Sequence, residues 1–213
     1  MRTLSWIDHA LSHIDRALKT CVPGSVVAAT ANPAQTLTET TALSDGERRH
    51  AAGLMRVNHT GEVCAQALYE GQASTASLPD IRQQMSAAAD EELDHLAWCE
   101  TRLEELNSRP SLLNPVFYGM SFALGAIAGK AGDRYSLGFV AATEDQVSRH
   151  LQEHLSTLPA NDVKSRAIVQ QMLSDEERHA ASARAAGGYE FPRPVKETMS
   201  VVAKVMTLTT YRI

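Results

Sequence analysis

The sequence lacks the features that mark several large protein classes. Its three cysteines, Cys21, Cys64 and Cys99, are odd in number and form no Cys-x-x-Cys pair. They therefore build no disulfide framework and read as free thiols of a reducing compartment. Positive charge is in deficit: the formal net charge is −5 and no basic stripe stands out, which argues against a nucleic-acid partner. Strand signals are scarce and no low-complexity tract occurs. The first segment carries Asp8, His9, His13, Asp15 and Arg16 and no uncharged apolar core follows, so a secretory signal is not expected. Its two acids also argue against a transit peptide, and a cytoplasmic setting is the simplest expectation.

What is present is helical. At 213 residues the chain suits one domain with a substantial core. Residues 4–18 place Leu4, Ile7, Leu11, Ile14 and Leu18 at spacings of three and four, an amphipathic helix. Residues 1–20 are assigned to that helix and the Thr-, Ala- and Pro-rich residues 21–43 to a linker, with the main domain over 44–213. Ser44 and Glu47 form a capping-box pattern at the start of a long helix that runs to about Ser74. Pro79-Asp80 opens a second helix to about Asn107, Gly132-Asp133 a third to about Thr157, and Asn161 or Asp162 a fourth that stops at Gly187-Gly188. An apolar insert, residues 115–129, separates the two helix pairs, and a last helix runs from about Val195 to Tyr211. Four long helices paired as hairpins predict an all-α bundle.

Two Glu-x-x-His pairs, Glu92–His95 and Glu176–His179, each follow a lone glutamate, Glu62 or Glu144, at offsets of 30 and 32 residues. On helices, this is one hairpin written twice, and four carboxylates with two imidazoles are what a four-helix bundle uses to hold two iron or manganese ions. The motif alone is weak, because a third match, Glu47–His50, exists. It lies 12 to 15 residues before Glu62 on the same helix, about 20 Å away at 1.5 Å per residue, and is assigned to a solvated helix start.

Environment separates the other two pairs from surface charge. Glu92 has Met85, Ala88, Ala89, Leu96 and Cys99 at helical-face spacings, Glu144 has Leu137, Val140, Ala141, Val147 and Leu151, and Glu176 has Val169, Met172, Leu173, Ala180 and Ala183. A buried ionised carboxylate must be protonated, paired or metal-bound, and no Lys or Arg occupies those positions. Glu62 has more polar neighbours, Asn58, His59 and Gln66, which suits the wall of a site. Four carboxylates balance two divalent ions, and oxygen donors with imidazole suit iron or manganese over structural zinc. Asp175 or Glu91 is a candidate to accept from the outer nitrogen of a liganding histidine, with a solvated acid as the alternative. His59 is read as supporting the site, His150 and His154 as surface residues, and Tyr69, Tyr118, Cys64 and Cys99 as packing.

The run from Met55 through Asn58, His59, Gly61 and Glu62, continuing to Tyr69, Glu70, Gly71 and Gln72, resembles the demethoxyubiquinone hydroxylases of ubiquinone biosynthesis. The resemblance continues through Glu92–His95, the Gly-rich insert, Glu144 and Asp175–His179, over roughly residues 44–213. It implies a ferritin-like bundle holding two iron ions through Glu62, Glu92, His95, Glu144, Glu176 and His179, with Glu92 and Glu176 as bridging candidates. It further implies an O2-dependent monooxygenase acting on the ring of a polyprenylated demethoxyubiquinol at the cytoplasmic face of a bacterial membrane. NADH is a candidate reductant, and a homo-oligomer or other ubiquinone-biosynthesis proteins are candidate partners. His150 falls where animal members have a histidine associated with reduction by NADH, but Leu151 stands where they have tyrosine. An iron-oxidising storage protein and a di-iron oxidase of another lipid use similar ligands and stay as alternatives.

The insert fits a lipid-soluble substrate independently. Val116, Phe117, Met120, Phe122, Leu124 and Ile127 make 115–129 strongly apolar, but it spans only about 22 Å, against roughly 30 Å for a hydrocarbon core. It is expected to lie in one leaflet, with a buried bundle helix or an oligomer contact through Gly125 and Gly129 as the alternative. The last helix, with Val195, Met199, Val202 and Met206 against Lys196, Lys204 and Arg212, is expected to join the same surface.

Overall fold

The computed structural model describes residues 5–39 and 41–213. Among them are seven helices and no strand: α1 (Trp6–Cys21), α2 (Asp45–Thr75), α3 (Pro79–Glu105), α4 (Asn114–Lys130), α5 (Asp133–Thr157), α6 (Val163–Ala185) and α7 (Arg193–Thr210). Leu4, counted in the first helix from its spacing, lies outside the described residues. The expected boundaries agree because local chemistry sets them. Ser44 and Glu47 close a reciprocal capping box on α2, Pro79 starts α3 where its missing N–H costs nothing, and Asp162 caps α6 by accepting from the Ser165 amide.

Cross-links between helices define a ferritin-like bundle. Asn58, Tyr69 and Gln72 of α2 meet His154, Glu144 and Ser136 of α5, so those two helices are antiparallel. Glu91, His95 and Arg102 of α3 meet His179, Asp175 and Ser165 of α6 in the same antiparallel sense. The second hairpin therefore starts at the end where the first one finished its outward run, and α4 carries the chain there by running parallel to α2. The two backbones touch: a Cβ added to Gly71 would stand 2.2 Å from the Phe122 carbonyl, and one on Gly125 2.2 Å from that of Leu68. Gly125 and Gly129 are thus spent on α2 within the chain, not on an oligomer contact.

Two apolar cores flank a polar middle layer. One gathers Met55, Cys99, Leu151 and Met172, the other Tyr69, Met85, Ala89, Leu137, Val140 and Ala183. Of residues 21–43, expected as a linker, Cys21 ends α1, and residues 22–39 and 41–43 have no helix but are packed. The Gly24 amide donates to Glu100, the Ala29 and Thr30 amides donate to Asp94, and Glu39 pairs with the buried Arg102. Backbone N–H groups and small side chains such as Ala34 do this without the periodicity that reveals a helix.

The amphipathic helix α1 is mounted the opposite way to the usual arrangement. Its polar side faces the bundle, where Arg16 and His13 pair with Glu70, itself buried on α2. Its apolar stripe, Ile7, Leu11, Ile14 and Leu18, is 50–58% exposed. His13 also sits edge-on to Phe122, which brings α1 alongside α4.

Candidate metal centre

The six expected residues converge in the middle layer, each at most 7% exposed. Glu62, Glu92, His95 and Glu176 present ligand atoms all within 4.8 Å of one another. Both histidines turn Nδ1 inward. Nδ1 of His95 lies 3.3 Å from Glu92 Oε2 and 3.5 Å from Glu176 Oε1. Nδ1 of His179 lies 3.3 Å from Glu92 Oε1 and 3.5 Å from Glu176 Oε2. Each of these two carboxylates therefore shows one oxygen to each imidazole, the geometry of a pair of bridges. Glu62 stands on the His95 side, 3.7 Å from its Nδ1. Glu144 enters from α5, with Oε1 held by the Tyr69 hydroxyl at 2.6 Å.

The atoms facing inward are orphans. Both oxygens of Glu92, Oε2 of Glu144 and of Glu176, and Nδ1 of both histidines are buried without a hydrogen-bond partner. Buried polar atoms are almost always paired, and these six are carboxylate oxygens and imidazole nitrogens gathered in one layer. That donor set fits a pair of hard or borderline divalent cations.

Outside the centre the two imidazoles are treated alike and crosswise. Nε2 of His95 on α3 donates to Asp175 of α6 at 3.2 Å, and Nε2 of His179 on α6 donates to Glu91 of α3 at 2.9 Å. These bonds fix the tautomer that leaves Nδ1 free to ligate. Both acids expected for this purpose serve it, one per histidine, and Arg178 donates to both.

The electrostatics follow from crowding. Burial, then the neighbouring carboxylates, push Glu62 and Glu144 well above the ordinary range. Burial opposes charge on the histidines, but the carboxylates packed around them outweigh it and lift His179 to about 11 and His95 well above its ordinary value. Burial likewise opposes charge on Asp175, yet hydrogen bonds from His95, Gln171 and Arg178 hold it far below the carboxylate range.

Other expectations fare differently. Glu47 caps its helix as expected, but His50 is not merely solvated: Nδ1 meets the Tyr211 hydroxyl at 2.7 Å and Nε2 the Thr157 carbonyl at 3.1 Å. His154, expected at the surface, is buried against Asn58 Oδ1 at 2.7 Å. His150 is partly buried, its ring 4.0 Å from that of His154. His59 bonds Asn114 of α4, and burial lowers its pKa to about 4, a neutral core histidine joining α2 to α4. Tyr69 is the residue whose role the spacing understated. It falls seven residues after Glu62, two turns along the same face, and that register was the available signal.

Comparison with known proteins agrees with this arrangement. The family model described as "Ubiquinone biosynthesis protein COQ7" matches residues 49–210. A protein of Ectopseudomonas mendocina named 3-demethoxyubiquinol 3-hydroxylase is 60% identical over 212 residues, covering 100% of this chain and 98% of its own. Proteins of the same name from a Marinomonas species and from Pseudomonas syringae are each 59% identical, covering 99% and 100% of this chain and 100% and 98% of their own. The similarity thus reaches past the family-model match into residues 1–48, which include the inverted helix α1. With the bundle, the crossed hairpins and matches of this extent, the chain belongs to the COQ7 family of ubiquinone biosynthesis proteins.

Proposed function

We propose that this chain is a 3-demethoxyubiquinol 3-hydroxylase that holds two iron ions through Glu62, Glu92, His95, Glu144, Glu176 and His179. The supporting observation is the set of orphaned buried oxygens and imidazole nitrogens, with two carboxylates spanning both histidines. Held by these six residues, the ions would supply redox chemistry toward O2. In the net reaction a ring C–H becomes C–OH, and O2, two electrons and two protons leave the second oxygen as water. The protein's own share is geometric. Glu92 and Glu176 set the spacing of the two positions, Asp175 and Glu91 fix the imidazoles, Tyr69 aims Glu144, and the two apolar cores exclude bulk water.

The quinol ring approaches from lipid, with the chain bound to the cytoplasmic face of the membrane and its isoprenoid tail left in the bilayer. No helix among the described residues is long and apolar enough to cross a membrane. What supports peripheral contact is exposed aliphatic surface: Val116, Met120, Leu124 and Ile127 on α4, joined by the outward stripe of α1 and by Val201, Val202, Val205 and Leu208 of α7. That surface also weighs against a soluble storage cage.

Quinone profiling of a deletion strain tests the assignment. Accumulated demethoxyubiquinone, cleared by the wild-type gene but not by Glu144→Ala, is the expected result. Normal ubiquinone in the deletion strain would overturn it.

A further inference from the structure

We infer that the two metal positions are unequal: the one beside His95 is preformed and fills first, and the one beside His179 and Glu144 is weaker and exchangeable. This rests on the six-ligand reading above and concerns how this chain's residues divide between the two ions. Four differences point the same way.

The His95 position is already assembled. Glu62, Glu92, His95 and Glu176 lie within 4.8 Å of one another, close enough for a single ion to meet all four. Among the described residues, no comparable group includes His179 or Glu144.

The support behind the histidines differs in shielding. Asp175, behind His95, has a side chain only 17% exposed and is held by Gln171 at 3.0 Å and Arg178 at 3.1 Å as well as by His95. Glu91, behind His179, is 46% exposed and shares Arg178 at 2.8 Å. A screened carboxylate orients and polarises an imidazole less than a shielded one does. His95 is further packed against Trp98, ring centroids 5.3 Å apart.

The terminal carboxylates differ as well. Tyr69 occupies one oxygen of Glu144, so chelation by both oxygens would require breaking a buried hydrogen bond. Beside Glu144 lies a cavity of about 10 Å³, lined by Ala65, Tyr69, Val140 and Thr143, the space of about one water. Glu62 has no such tether among the hydrogen bonds of the described residues. The His95 position thus has a terminal carboxylate with both oxygens open to an ion, and the other position one whose second oxygen is already engaged.

The test is an anaerobic titration of the metal-stripped full chain with Mn2+, followed by calorimetry and by electron paramagnetic resonance. Outer hydrogen-bond partners change metal affinity by about 10–100-fold. Two steps are therefore expected, with dissociation constants at least about tenfold apart. The first equivalent should give an isolated single-ion signal, and the second should extinguish it through coupling to a neighbour. Asp175→Asn should weaken the first step, and Tyr69→Phe should change the second step alone. Both equivalents binding together, with no isolated-ion signal at half loading, would overturn the inference and leave the six-ligand reading intact. So would Tyr69→Phe acting on the first step. Failure to bind two ions at all would overturn both. The wild-type titration needs no variant, so a misfolded mutant cannot obscure the answer.

Discussion

The middle layer of the bundle and the outer faces of α1, α4 and α7 break the same rule in opposite directions. In the first, four carboxylates are buried with almost no solvent contact; in the second, a series of aliphatic side chains stands in the open. Water-soluble folds avoid both, because a buried charge costs several kcal/mol unless compensated and a large exposed apolar patch invites association. Under the proposed function each inversion is completed by something other than water, a pair of cations inside and a lipid leaflet outside. Mixed burial elsewhere is ordinary, so these two regions carry the functional information.

The sharpest way to break the comparison is to remove a proposed bridging carboxylate. Glu176→Ala should lower hydroxylation by more than the roughly 100-fold ceiling seen for residues that only support metal ligands. It should also reduce bound metal well below two ions per chain, as measured by elemental analysis. Retained activity would detach the buried layer from the chemistry.

Chelation probes the same layer through stability. Withdrawing cations leaves carboxylates crowded in an apolar setting, and the Tm should fall by about 5–10 °C, equivalent to roughly 2–4 kcal/mol for a chain of this size. Scanning calorimetry with and without chelator measures this, and re-addition of metal should restore it.

The outer region is probed by charge. Leu124→Asp with Ile127→Asp should reduce flotation with vesicles of phosphatidylethanolamine and phosphatidylglycerol by at least about tenfold, since each buried aliphatic contributes about 1.5–3 kcal/mol. The Tm should stay nearly unchanged, because both positions already face outward. A large loss of stability would show that α4 buries this face against protein.

A smaller effect separates buried polar groups that need no cation. His154 is held neutral, chiefly by burial and then by the nearby His150 and His50, its pKa lowered to about 3. The unfolded chain binds this proton near pH 6.5 and the folded one does not. Stability is therefore complete above about pH 6.5 and falls as the pH drops toward 3, by about 1 kcal/mol at pH 5.5 from this group. His154→Gln should flatten that part of a denaturation-versus-pH profile.

Helix ends and the inward-facing carboxylates were legible from the sequence because each repeats a local rule. Ser44 with Glu47, Pro79 and Asp162 are capping signals, and Glu92 and Glu176 stand in apolar stripes that only a core face produces. The resemblance named Glu92 and Glu176 as bridging candidates, but the crosswise support of the two histidines by Asp175 and Glu91 needed the packing of α3 on α6. Periodicity finds the stripe on α1 but cannot say which way it points; that depends on Glu70, far along the chain. His50, His154 and Tyr69 were understated for the same reason. One polar residue on a helix has no pattern, and its partner, Tyr211, Asn58 or Glu144, is supplied by another element.

The glycine contact between α2 and α4 has a consequence for the range of usable substrates. With backbones touching at Gly71 and Gly125, the two helices cannot slide past each other without a clash. The helix proposed to rest in lipid is thus a rigid spacer beneath the helix that carries Glu62. In that arrangement the reacting ring is always worked at one height above the bilayer, and everything below that height is left to the lipid. The enzyme would then measure the head and ignore the tail, so isoprenoid chains of different lengths should be interchangeable.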